Sequence, residues 1–216
     1  MSKVIILYIG NKNYSSWSLR AWLTLKLTHL PFEEVQIPLY TDSSKIELLK
    51  VSPSGKVPCL HDGNIIVWDT LAIVEYLHEK FPEKILYPLD PLLRSIARSS
   101  IAEMHSSFFD LRTECPMNIR RNQQKNISQN TLEDLKRIFS IWDHCKKMSG
   151  NKNFLLGNFS IVDAFFAPIV SRIVSYKLPQ NNHEEYIETI FNHEYFQEWK
   201  KDAMKEKWII SSAEVE

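Results

Sequence analysis

The hydrophobic pattern changes character along the chain. Up to about residue 77 the apolar positions come as short runs and alternations separated by turns; beyond residue 90 they come as long stripes at helical spacing. Val4 to Ile9 is an unbroken β-branched run, which predicts a strand. The apolar positions Ala21, Trp22, Leu23, Leu25 and Leu27 predict a helix that stops near His29-Leu30-Pro31. Phe32 to Ile37 alternates as a second strand does, and a strand–helix–strand unit of this size argues for a right-handed crossover and parallel pairing. A short helix is expected around Lys45 to Leu49. The prolines and glycine of Ser52-Pro53-Ser54-Gly55-Lys56-Val57-Pro58 then forbid regular structure. Cys59-Leu60-His61 and Ile65-Ile66-Val67-Trp68, joined through Asp62-Gly63-Asn64, read as a hairpin. Asp69-Thr70 caps a helix with apolar positions Leu71, Ile73, Val74, Leu77 and Phe81.

Phe81 to Pro88 is punctuated by proline and reads as a boundary, after which strand signals stop. Leu92, Leu93, Ile96, Ala97, Ile101, Met104, Phe108 and Leu111 predict one long helix over 91–112, with Pro91 at its start. Glu114 to Asn130 is polar and irregular, Thr131 to Met148 is a helix ended by Ser149-Gly150, and Ser160 with Asp163 resembles a reciprocal capping box. Phe159 stands where a staple residue would. The helix behind that box (Ala164, Phe165, Phe166, Ala167, Ile169, Val170, Ile173, Val174) is apolar almost all round and is expected at the centre of a bundle. Glu184 to Trp208 supplies one or two terminal helices. The expected fold class is therefore α/β plus all-α. A βαβ–ββα domain (1–80) leads through a linker (81–90) to an all-helical domain (91–216).

Composition narrows the function classes. Lys+Arg and Asp+Glu both count 26, so no electrostatic footprint for nucleic acid is visible. No segment approaches the roughly 18 apolar residues of a membrane span. The three cysteines, Cys59, Cys115 and Cys145, are scattered without metal spacing and read as reduced thiols in a cytoplasmic protein, with no metal expected. The paired serines of Tyr14-Ser15-Ser16-Trp17-Ser18-Leu19-Arg20 stand where a strand's exit loop feeds a helix. They can cap that helix, and its free N–H groups and dipole suit an anion such as a thiolate.

That seven-residue loop, the Ser52–Pro58 segment and Trp68-Asp69-Thr70-Leu71-Ala72-Ile73-Val74-Glu75-Tyr76-Leu77 together resemble the cytosolic glutathione transferase family. The serine loop is similar to those of the zeta, theta and delta classes, and most of all zeta. Phe159 to Pro168 is similar to the family's helical-domain capping motif. The resemblance implies a thioredoxin-like first domain, glutathione as co-substrate, and a small electrophile as second substrate, conjugated or isomerised. It also implies a twofold homodimer. Val57, ahead of a cis-Pro58, would pair with the cysteinyl backbone of glutathione; Lys56 belongs to the same segment. Asp69 and Thr70 would hold the γ-glutamyl ammonium and carboxylate, the plain reading of Thr70 being an N-cap.

A free thiol has a pKa near 8.5, and a hydroxyl donor at a helix N-terminus stabilises its thiolate. Spacing to Arg20 in the theta and delta pattern points to Ser16; the zeta pattern, which uses the first of the pair, points to Ser15; Tyr8 is a third candidate. Trp17 stands where zeta members carry cysteine. Met104, His105, Phe108 and Arg112, sharing a face of the long helix beside Pro116-Met117-Asn118, are the expected second-substrate residues. A glutaredoxin-like reductase would need a cysteine in the loop, which has none. The rival from another class is a transferase-like binding or regulatory module without turnover.

Overall fold

The computed structural model describes residues 4–151 and 153–216. Four strands, β1 (Ile5–Ile9), β2 (Phe32–Gln36), β3 (Cys59–Asp62) and β4 (Ile65–Trp68), form one sheet in the order β2-β1-β3-β4. β1 and β2 run parallel, with Ile5 opposite Phe32; β3 is antiparallel to both β1 and β4. Parallel pairing requires a crossover, and α1 (Ser16–Thr28) supplies it. Helix α2 (Ser44–Val51) follows β2, and α3 (Thr70–Lys80) follows the hairpin. Leu7 and Ile9 are completely buried, as are Leu19 and Leu23 of α1 and Ile73, Val74 and Leu77 of α3, so one face of the sheet is sealed by these two helices.

After a 3-10 turn at Pro82–Lys84 the described chain is helical: α4 (Pro91–Ser106), α5 (Phe109–Glu114), α6 (Gln129–Ser149), α7 (Ile161–Tyr176), α8 (Glu184–Phe191) and α9 (Glu194–Ala203). α7 is the hub. It packs against α1, α4 and α8, and nearly all its side chains are buried. Its start carries the expected capping box: the Asp163 carboxylate accepts from the Ser160 N–H at 3.0 Å. Phe159 stacks its ring on His193 at 3.9 Å, which ties the start of α7 to the start of α9.

The single helix expected over 91–112 is broken. Ser107 is extended and Phe108 sits in the left-handed region at φ 65°, so α4 ends at Ser106 and α5 restarts at Phe109. Arg112 explains how the break is held. Its guanidinium turns back to donate to the carbonyls of Met104 and, at 2.8 Å, of Ser107, satisfying the last turn of α4. Met104, His105, Phe108 and Arg112 therefore do not share one helix face. The irregular 115–128 segment is fastened on both sides: Ile119 N–H donates to Asn13 O at 3.2 Å, and Lys125 N–H to Tyr176 O at 3.1 Å. Among the described residues the three cysteines are free and buried, and no helix is long and apolar enough to cross a membrane.

Candidate functional site

The serine loop is shaped from within and clamped from outside. Asn11 O accepts the N–H groups of Tyr14 and Ser15, at 3.1 and 2.8 Å, which turns the chain into α1. Ser15 is the N-cap: its Oγ accepts from the Ser18 N–H at 3.3 Å and donates to Ser18 Oγ at 2.8 Å. Ser18 Oγ also takes the Gly10 N–H at 3.0 Å, binding the end of β1 to the first turn of α1. The Ser16 hydroxyl, by contrast, has no hydrogen-bond partner among the described residues.

The outer clamp comes from the far end of the chain. Glu206 accepts the backbone N–H groups of Lys12 and Asn13, at 2.5 and 3.0 Å. Glu214 accepts from the Tyr14 hydroxyl and from Asn118 Nδ2. Arg120 donates to Tyr14 Oη at 2.8 Å and to the carbonyls of Glu206 and Trp208. Sequence reasoning missed Arg120, Glu206 and Glu214. No local motif marks them, because Glu206 meets Lys12 across 194 positions.

Two cavities open beside this loop. One, of about 460 Å³, is lined by Trp17, Ser54, Lys56, Val57, Pro58, Trp68, Asp69 and Thr70. The other, of about 510 Å³, is lined by Ser15, Trp17, Leu39, Tyr40, Thr41, Ser44, Lys45, Leu48, Gly55, Lys56 and Val57. Trp17, Lys56 and Val57 belong to both, so the two adjoin. The Val57–Pro58 peptide is cis, and neither the N–H nor the C=O of Val57 has a partner among the described residues. Lys45 and the exposed Tyr40 line the second cavity and had no motif to announce them.

Asp69 caps α3, accepting from the Leu71 N–H at 2.8 Å, in a backbone conformation (φ 73°, ψ 139°) unfavourable to any side-chain-bearing residue. Such strain costs about 1–3 kcal/mol and persists where the surroundings impose it, often at binding sites. The Thr70 hydroxyl donates to Trp17 O at 3.1 Å, joining the N-terminal ends of α1 and α3. That bond holds together two helix N-termini, each with its positive dipole end, and residues of both line the first cavity.

None of the four expected second-substrate residues lines either cavity, and two of them, His105 and Arg112, pack on Trp17. Met104 and Phe108 are core residues, 0% and 4% exposed. The His105 ring meets the Trp17 indole edge-on at 5.1 Å, with Nε2 3.4 Å from Asp69 Oδ2. Burial lowers the His105 pKa, and the nearby Arg20 and Arg112 push the same way against the pull of Asp69, so the ring is neutral at pH 7. Arg112 stacks over Trp17 at 5.1 Å. Tyr8 packs on His61 and lines neither cavity. A larger cavity, about 680 Å³, lies away from this chemistry between α1, β2 and α9, and its charged side chains are already paired with one another. No His, Cys, Asp and Glu cluster fit for a metal occurs among the described residues.

Comparison with known proteins gives this geometry a lineage. Residues 14–80 match the family model of the glutathione S-transferase N-terminal domain. Glutathione S-transferase 1 of Dianthus caryophyllus is 30% identical over 176 residues, covering 79% of this chain and 78% of that protein. A stringent starvation protein A homolog of Haemophilus ducreyi is 25% identical over 67% of this chain, and a probable maleylacetoacetate isomerase of Caenorhabditis elegans 33% identical over 44%. The chain spans less than two thirds of either, 64% and 43% of their lengths. A solved glutathione transferase homolog from Burkholderia gl BGR1, with bound glutathione, superposes with a TM-score of 0.70 at 25% identity, covering 94% of this chain and 98% of that one. Taken with the thioredoxin-like sheet and the helical bundle behind it, these likenesses place the chain in the cytosolic glutathione transferase family.

Proposed function

We propose that the two adjoining cavities hold one glutathione molecule and that the protein presents its thiolate to a small electrophile. The observation that carries this reading is the order of groups along one continuous lining: Ser15 at one end, the unpaired Val57 peptide in the middle, Asp69 and Thr70 at the other. An extended tripeptide with an ammonium and carboxylate at one end and a cysteinyl backbone in the middle, its thiol branching toward Ser15, matches that order. Asp69 faces the γ-glutamyl ammonium, and the first-turn N–H groups at Thr70 face its carboxylate. The Val57 N–H and C=O pair with the cysteinyl backbone. Lys56, and Lys45 across the second cavity, suit the glycyl carboxylate.

Ser15 is the proposed thiolate donor, because it lines the cavity and Ser16 does not. Its hydroxyl hydrogen, donated to Ser18 Oγ in this structure, turns to the sulfur, while Ser18 keeps the Gly10 N–H. The thiol proton leaves to solvent. The thiolate then attacks an electrophilic carbon, and either a leaving group departs with its electron pair or, in an isomerisation, the sulfur is expelled after rotation about the bond it has made single. The likeness to a maleylacetoacetate isomerase favours the second outcome. The electrophile enters from the Trp17 side, with His105 and Arg112 behind the indole and Met104 and Phe108 as their packed support. The reading includes a domain boundary over 81–90, a homodimer and a cytoplasmic location.

The stringent starvation likeness favours a second reading, a regulatory module that keeps the fold without turnover. Passage over immobilised glutathione, followed by assay with an aryl halide and with an unsaturated dicarbonyl, separates the two. Retention, elution by free glutathione and turnover of either electrophile are expected. Retention without turnover favours the regulatory module, and failure to bind removes glutathione from both.

A further inference from the structure

Arg20 is completely buried, and none of its three guanidinium nitrogens has a hydrogen-bond partner among the described residues. A buried cation without a partner is rare, because the interior cannot replace its hydration. Its neighbours offer ring faces but no hydrogen-bond acceptor. The guanidinium lies between the Trp17 ring, at 4.6 Å, and the Phe165 ring of α7, at 5.4 Å. The charged groups facing it are Arg112 from α5 and Arg172 from α7, both cations, and Asp69 before α3 as the one anion; His105 of α4 borders the same cluster. Arg112 and Arg172 have found carbonyl partners, in Ser107 and Met104 for the first and Cys115 and Pro168 for the second. Arg20 has none.

We infer that Arg20 is a positioning charge for the bound thiolate, acting through Trp17 on the cavity that Trp17 lines. Arg20 lies against the Trp17 ring, which lines both cavities and stands two residues from Ser15, so its charge lies behind the wall that the proposed sulfur faces. An atom of the ligand in contact with the indole would be roughly 8 Å from the guanidinium, which at the effective permittivity of such sites lowers a thiol pKa by about 1–1.5 units. Binding strengthens the effect. The γ-glutamyl ammonium engages Asp69, the cluster loses the use of its one carboxylate, and the thiolate becomes the anion that three guanidinium groups lack. Burial, and then the neighbouring Arg112 and Arg172, lower the Arg20 pKa well below its ordinary value, a strain that an anion in the cavity relieves.

This inference rests on the glutathione reading and is tested on the complex. The ultraviolet absorbance of the thiolate is titrated against pH for the wild type, Arg20→Met and Arg20→Lys, and thermal unfolding is followed alongside. In Arg20→Met the ionisation of bound glutathione moves up by about one pH unit while the unfolding temperature holds or rises, because a buried unpaired charge has been replaced by a side chain that suits the interior. Arg20→Lys, which keeps the charge, titrates near the wild type. A purely structural arginine would give the reverse, a lower unfolding temperature with an unmoved titration, and that result overturns the inference. Should Arg20→Met not fold, Arg112→Gln replaces it, with a smaller upward shift expected from the cluster's second cation; an unmoved titration there also overturns it. A wild type that does not bind glutathione at all removes the underlying reading instead.

Discussion

Asp163→Ala is expected to destabilise the protein by about 2–4 kcal/mol at pH 7, and by more at pH 5. The carboxylate is fully buried at the start of α7, and it is a hub of four hydrogen bonds. It accepts from the N–H groups of Leu155 and Ser160, at 3.1 and 3.0 Å, and from the hydroxyls of Ser160 and Tyr186, both at 3.2 Å. Removing it leaves buried donors unpaired on three segments at once, at about 1–3 kcal/mol each. Part of that loss is offset. Burial outweighs these bonds and raises the Asp163 pKa from 3.8 to about 6, so ionising it at pH 7 costs the native state roughly 3 kcal/mol that alanine does not incur.

The sign of the pH dependence follows. A carboxyl whose folded pKa lies above its unfolded value binds more protons when native, so wild-type stability gains as pH falls through 6 and is lost as pH rises through it. Alanine has no such term, and the gap between the two proteins widens from pH 7 to pH 5. Denaturant midpoints measured at both values check it; a gap that stays constant removes the buried-carboxylate account. Asparagine does not rescue, since its NH2 group would face donors that need an acceptor.

Much of this fold was legible because its signals are local. The period-2 and period-3.6 stretches, the Gly63 turn, the capping box and the serine loop each lie within a dozen residues. The break at Phe108 was not legible for a definite reason. Ile101, Met104, Phe108 and Leu111 continue the same buried stripe across it, and α5 resumes on the course of the core that α4 left. Apolar periodicity reports which side chains are buried, and it is silent on whether one peptide between them has turned left-handed. The same limit applied at the site. The Ser15 loop, Val57-Pro58 and Asp69-Thr70 were readable as motifs, whereas the clamp by Glu206 and Glu214 and the isolation of Arg20 depend on what α5, α7 and the C-terminal segment bring to one place.

Ser15→Ala is expected to cut turnover at neutral pH by about 10–100-fold and to raise the pH at which bound glutathione ionises by about 1–2 units. A hydrogen bond donated to a thiolate stabilises the charged form of the sulfur, and alanine donates nothing. The same substitution removes the helix cap, since Ser15 Oγ is also the acceptor for the Ser18 N–H, at about 1 kcal/mol of stability. The two losses are separable: below the unfolding temperature the cap alters how much protein is folded, whereas the thiol titration is a property of the folded complex. Ser16→Ala provides the contrast. Its hydroxyl has no partner among the described residues and lines neither cavity, so activity and thiol ionisation should stay within about twofold and a few tenths of a pH unit of the wild type. The pH profile of kcat/KM for the three proteins decides between the serines. A displaced acid limb in Ser15→Ala alone assigns the donor to Ser15. The same displacement in Ser16→Ala alone transfers the role to Ser16, and requires that the first turn of α1 rotate when glutathione binds, because only then would the Ser16 hydroxyl reach a ligand seated against Val57.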